Sequence, residues 1–215
     1  PHSAKLSSTC YQRKIVLRYS RLLQLPKCPN YVMQTANINL NLATGNDRDA
    51  QIIKNLWPLY QHDVSAFDGA IPNHHGIFND DETAITLAQH ANSLDAWWQD
   101  PESLFPYLIV VDGRPAGFNL IAASSRLPQE IQADFVVHEY FVLHAYRGSS
   151  VAERAAIDGF NEHRGAWEVV TYPTHLRAIA FWRRVISQYT STNFSEAEVD
   201  HPWGRKVAFH FDNAV

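Results

Sequence analysis

The chain has 215 residues, 46% apolar and 12% aromatic, with 9 Gly and 11 Pro, a composition that buries a sizeable core and excludes a disordered, fibrous or low-complexity protein. Its net charge of −4 is unevenly spread: residues 1–32 hold Lys5, Arg13, Lys14, Arg18, Arg21 and Lys27 with no acid, so the rest sets twelve basic residues against 22 acidic, net −10. An acidic body argues against nucleic acid as a partner, and no run approaches the ~20 apolar residues of a membrane span.

The basic segment 1–32 reads as an N-terminal extension of targeting, upstream or vector origin, since Met33 offers an alternative start and both cysteines, Cys10 and Cys28, fall within it. Arg18 interrupts Ile15-Val16-Leu17, which argues against a secretory signal. The cysteine-free remainder fits a reducing, cytoplasmic compartment, and residues 33–215 are expected to form a single α/β domain. Asn37 to Leu42 alternates with period two, predicting a strand, and Asp47 predicts the cap of a helix over 50–67 that Pro58 kinks or breaks in two. A loop is expected over 68–82 and a second helix over 82–98. Asp112-Gly113 between two apolar runs, 106–111 and 114–122, predicts a hairpin. Then follow a long strand within 133–145, a helix over 150–163, a strand over 167–171, a helix over 175–187 and a final strand over 206–211. The order β-α-α-β-β-β-α-β-α-β implies a mixed, mostly antiparallel sheet with helices on both faces.

The informative junction is Val142-Leu143-His144-Ala145-Tyr146-Arg147-Gly148-Ser149-Ser150-Val151-Ala152, where a strand runs through a small-residue turn into a helix. Unpaired amides at such a helix start, with Arg147 beside them, suit a phosphate or pyrophosphate. Downstream, His175-Leu176-Arg177-Ala178-Ile179-Ala180-Phe181-Trp182 opens the next helix. Together these pieces resemble the GNAT superfamily of N-acetyltransferases, in a bacterial branch, over residues 36–213. Arg147 and Ala152 match the family's Arg/Gln-x-x-Gly-x-Gly/Ala pattern, while Ser150 stands in place of its central Gly, His175 in place of an Asn, and Trp182 where a thiolate-protonating Tyr often sits.

The resemblance implies an acyl-CoA N-acyltransferase fold with acetyl-CoA as co-substrate. Backbone groups of Phe141, Val142 and Leu143 would pair with the pantetheine arm. The amides of Gly148, Ser149, Ser150, Val151 and Ala152, with Arg147, would hold the pyrophosphate. His175 would bond the arm, and Ala178 and Phe181 would line the channel near the thioester. Tyr172 and Tyr189 are candidate acids in place of Trp182, unless the thiolate leaves without one. Such folds often dimerise through their terminal strands, so a homodimer is one expected state.

Acetyl transfer needs a neutral amine, hence a proton acceptor. Glu139 is the candidate base: period-two counting places it with Phe135, Val137, Phe141 and Leu143, an apolar face where a carboxylate is costly unless paired or functional. His138 is a second candidate, counted onto the opposite face with Tyr140 and Val142 and equally readable as packed. In the loop from Ile71 to Glu82, His74-His75 lack the i, i+4 spacing of a helical zinc pair, so no metal site is expected. Asp80, Asp81 and Glu82 are candidates for capping the second helix or for favouring a cationic acceptor. The expected activity is acetylation of a primary amine on a small molecule or peptide. The alternatives are a catalytically silent acyl-CoA-binding module, and an α/β domain whose Ser-rich turn holds a different phosphate or nothing.

Overall fold

The computed structural model describes residues 36–78 and 83–214. Asp80, Asp81 and Glu82, with the basic segment 1–32, lie outside the described residues, as does the expected start of the second helix.

Seven strands form one sheet in the order β1-β2-β3-β4-β5-β7-β6. They are β1 (Ile38–Leu42), β2 (Leu104–Val111), β3 (Arg114–Ala123), β4 (Phe135–Val142), β5 (Ala166–Thr171), β6 (Ser195–His201) and β7 (Gly204–Asp212). Every neighbouring pair is antiparallel except β4 and β5. The Asp-Gly hairpin forms as expected, with Asp112 at φ 49° and Gly113 at φ 76°, the two positive dihedrals a tight primed turn needs.

On one face lies α1 (Arg48–Asp68). Asp47 caps it by accepting from the Ala50 amide at 2.8 Å, and Ile53 and Leu56 lie against Leu108, Phe118, Leu120 and Phe141 of the sheet. Pro58 neither divides nor ends this helix. A mid-helix proline removes one donor, a loss that burial of the α1 face overrides. The second helix is much shorter than periodicity suggests: α2 spans Leu87–Ala91 and continues as a 3-10 turn over Asn92–Trp98.

The other face carries α3 (Ser150–Glu162) and α4 (Leu176–Tyr189). Their apolar sides, including Ala156, Phe160, Ile179, Trp182 and Ile186, meet Ile121, Val137, Trp167, Val169, Phe209 and Phe211. At about 1.5–3 kcal/mol per fully buried large side chain, this aromatic-rich layer is the main stabilising mass of the domain. The terminal β6 was not expected. Its sequence, Ser-Glu-Ala-Glu-Val-Asp-His, is exposed along the sheet edge.

Candidate active site

β4 and β5 stay together for three residue pairs only, Phe135 with Trp167, Val136 with Glu168 and Val137 with Val169, and then part. The parting coincides with a bulge in β4: Ile121 of β3 pairs with Val137 and Leu120 with Glu139, which leaves His138 without a partner in the ladder. A bulge raises local twist and turns the following side chains over. The face assignment by period two therefore needs correction. Phe135 and Val137 lie with the α3 and α4 core, whereas Phe141 and Leu143, past the bulge, lie with α1. Tyr140 and Val142 pack on the α3 side, while the His138 ring sits between Trp97 at 5.3 Å and Trp203 at 4.9 Å.

The gap widens into a cleft of about 2130 Å³, larger than the ~300–1,000 Å³ of a pocket for one small ligand. Glu139 lines this cleft. The Tyr60 hydroxyl of α1 donates to Glu139 Oε2, and His138 Nδ1 is 3.4 Å from Oε1. Burial, and then the charge of Glu139, push the Tyr60 phenol well above its ordinary value, so Tyr60 is a fixed donor that orients the carboxylate. Asp68, Tyr172 and Lys206 line the same cleft. Burial, followed by the charges of Asp68 and Glu139, raises the Tyr172 phenol too.

At the other end of the cleft, Ser149 caps α3. Its Oγ accepts from the Val151 amide at 3.3 Å and donates to the Tyr146 carbonyl at 2.6 Å. The left-handed backbone falls on Gly148, at φ 72° in open space, and Ser150 has no positive φ, so its replacement of a glycine introduces no backbone strain. Arg147 is held on three sides, by the Val142 carbonyl at Nε (2.6 Å), His144 at Nη1 (3.0 Å) and Asp63 of α1 at Nη2 (2.5 Å). The Leu143 amide donates to the Ala116 carbonyl of β3. His175 caps the start of α4 without a side-chain cap bond, and its ring stacks on Phe67 at 3.8 Å. Burial, then the charges of Arg147 and Arg177, hold this imidazole below its ordinary value.

The cleft thus gathers Glu139, His138, Phe141, Val142, Arg147, Gly148, Ser149, Ser150, Ala152, His175, Ala178 and Phe181. Two candidates stand apart. Val151, in the first turn of α3, is fully buried, and Leu143 packs with the α1 core. Trp182 is a core residue that meets Tyr140 edge-on, and the Tyr140 hydroxyl donates to the Ala152 carbonyl at 2.5 Å. Of the substitute acids, Tyr172 lines the cleft, whereas the Tyr189 hydroxyl is bonded to Asn161 and Asn213. The sequence reading missed Tyr60, Trp203 and Lys206. For Lys206 a signal existed: it shares the parity of Ala208 and His210, opposite the core-facing Val207, Phe209 and Phe211.

This architecture matches solved acetyltransferases. An aminoglycoside acetyltransferase AAC(6')-Ib, in complex with coenzyme A, superposes with a TM-score of 0.56 at 16% identity over 82% of this chain and 95% of its own. The fold is that of the GNAT acetyltransferases. An acetyltransferase from Thermus thermophilus gives 0.55 at 15% identity, covering 82% and 97% of the two chains. A ribosomal-protein-S5-alanine acetyltransferase from Vibrio fischeri gives 0.52 at 14%, covering 82% and 93%. No family model matches the sequence, and no curated protein does either. The GNAT likeness therefore rests on the arrangement of strands and helices rather than on sequence identity.

Proposed function

We propose that this protein transfers the acetyl group of acetyl-CoA directly to a primary amine of a small molecule or peptide, with Glu139 as general base. The observation that carries this reading is the placement of Glu139: a carboxylate just past the β4 bulge, in a cleft opened by the parting of β4 and β5, oriented by the Tyr60 hydroxyl. The fold supports it, since AAC(6')-Ib is described with coenzyme A, and with the aminoglycosides ribostamycin and kanamycin.

The residues present fit the co-substrate. Backbone amides between Gly148 and Ala152, other than that of Val151, which Ser149 Oγ caps, open α3 toward the cleft, and Arg147 brings a guanidinium to the same end, a donor set suited to a pyrophosphate. The parted edge of β4 around Val142, with Phe141 and Leu143 beside it, offers main-chain groups to an extended amide-containing arm. His175, Ala178 and Phe181 form the opposite wall. Glu139 takes a proton from the incoming ammonium, directly or through water. The freed amine nitrogen bonds the thioester carbon and the carbon–sulfur bond breaks; the thiolate takes a proton from the Tyr172 hydroxyl that lines the cleft, and the proton shed by the new amide nitrogen restores that hydroxyl.

Calorimetry with acetyl-CoA followed by a thiol-release assay on an amine panel tests this. Binding and release are expected, and Glu139→Gln should lower kcat by about 10²–10⁴-fold with binding retained. A loss under tenfold removes the base assignment. A second reading, a catalytically silent acyl-CoA-binding module, is favoured by the burial of Trp182 where a thiolate-protonating Tyr is often found. Binding without release on any amine would select it.

No described helix is long and apolar enough to cross a membrane. A cytoplasmic, bacterial enzyme, in monomeric or homodimeric form, remains part of the proposal.

A further inference from the structure

Two residues with formal charge are buried among the described residues, Glu168 and Lys206, and they are served very differently. Glu168 receives an imidazole at each oxygen. Lys206, at 5% exposure, forms no ion pair or hydrogen bond among the described residues, and its one charge-related contact is the face of the Tyr172 ring, 3.3 Å from Nζ to the centroid. An ammonium has three donors, and with the rest of the side chain buried these open only into the cleft that Lys206 lines. A ring face offsets part of the charge but accepts no ordinary hydrogen bond.

The place of Lys206 makes this informative. It comes from β7, at the position paired with Val199 of β6, and borders the same cleft as Glu139. Glu139 and Asp68 line the same cleft, and neither forms an ion pair with Lys206; burial lowers its ammonium from the ordinary value, and the charges of these two carboxylates act in the opposite sense. A carboxylate suited to activating an amine and a cation with no carboxylate partner thus line one cavity.

We infer that Lys206 is an anchor for an anionic group of the acceptor, so that the substrate class is amines that also bear a carboxylate, as amino acids do. The amine lies toward Glu139 and the carboxylate toward Lys206, with Tyr172 between. This separates such acceptors from purely cationic ones such as polyamines or aminoglycosides, which the net −10 of the body would otherwise favour. The inference rests on the acetyl-transfer reading above.

The test compares amino acids with their carboxamides and decarboxylated amines in the thiol-release assay, using the full chain and acetyl-CoA. Wild-type protein is expected to prefer the carboxylates in kcat/KM by about ten- to a hundredfold, the scale of one hydrogen-bonded charge. In Lys206→Met that ratio should fall to about one, and Lys206→Arg should restore part of it. Release on amines irrespective of the carboxylate overturns the inference and leaves acetyl transfer standing. Equal losses on acid and amide in Lys206→Met also overturn it, since they mark a structural lysine. No release on any amine, with acetyl-CoA bound, is the separate failure of the transfer reading, and the inference falls with it.

Discussion

The Trp203 amide donates to His201 Nδ1 at 3.2 Å, which leaves the proton of this buried imidazole on Nε2, where it donates to Glu168 Oε1 at 3.1 Å. His210 Nε2 bonds the other oxygen at 2.7 Å. Burial alone would raise the Glu168 carboxyl, but the hydrogen bonds it accepts from His210 and His201 bring it below its ordinary value of 4.5. The folded state therefore holds this proton more weakly than the unfolded chain. Its stabilising contribution is present above that value and disappears as pH falls through the folded one. Glu168→Gln should cost about 1.5–3 kcal/mol at pH 7, narrowing toward pH 3, as measured by urea unfolding across pH. Single residues were also where reading the sequence was most uneven. Glu139 stood out because a carboxylate among apolar strand residues demands a reason, yet its face was misjudged. Period-two counting assumes an uninterrupted ladder, and the bulge at His138 depends on pairing with β3, some twenty residues earlier.

Elements with strong local signals appeared where expected: α1 behind Asp47, the Asp112-Gly113 hairpin, and α3 and α4 with their apolar stripes. β6 carried no such signal, because an edge strand facing solvent needs no apolar alternation. It is held instead by the β7 ladder and by Arg205 with Glu198 and Asp200, and Arg183 with Glu196. The stretch over 82–98 misled in the other direction, since helical spacing does not distinguish an α-helix from a 3-10 turn whose Leu94 and tryptophans pack against α1. Between β3 and β4 the approach is so close that a Cβ on Gly117 would lie 1.9 Å from the Phe141 carbonyl oxygen. Backbone cannot yield there as a side chain would. Gly117→Ala is expected to destabilise by about 2–3 kcal/mol and to widen the cleft wall at Phe141, seen as a lowered Tm together with weakened acetyl-CoA binding.

Taken whole, the described residues build the sheet, its helices and the cleft from within 36–214, in agreement with the fold class read from the order of elements. We propose that residues 33–215 suffice for the activity. Deletion of residues 1–32 should then leave acetyl-CoA affinity unchanged by calorimetry, and lost affinity would show that the basic segment belongs to the fold. The acceptor was not legible, because it depends on groups brought together by tertiary contact: Tyr60 from the first helix, Lys206 from the last strand and Trp203 from the turn before it.

The parting of β4 from β5 also bears on how the molecule avoids its own kind. Open strand edges invite pairing with foreign strands, and proteins blunt them with charge or cover. Of the two outer strands, β1 and β6, the latter presents Glu196, Glu198 and Asp200. The inner edge opens inside the fold, beneath α1, where the Arg147 guanidinium already occupies the Val142 carbonyl with Asp63 behind it. A bulky strand from another chain meets that plug and the narrow join at Val137 and Val169. The Asp63–Arg147 pair thus covers the one stretch of open edge that the parting creates, in the way charged side chains blunt an outer strand.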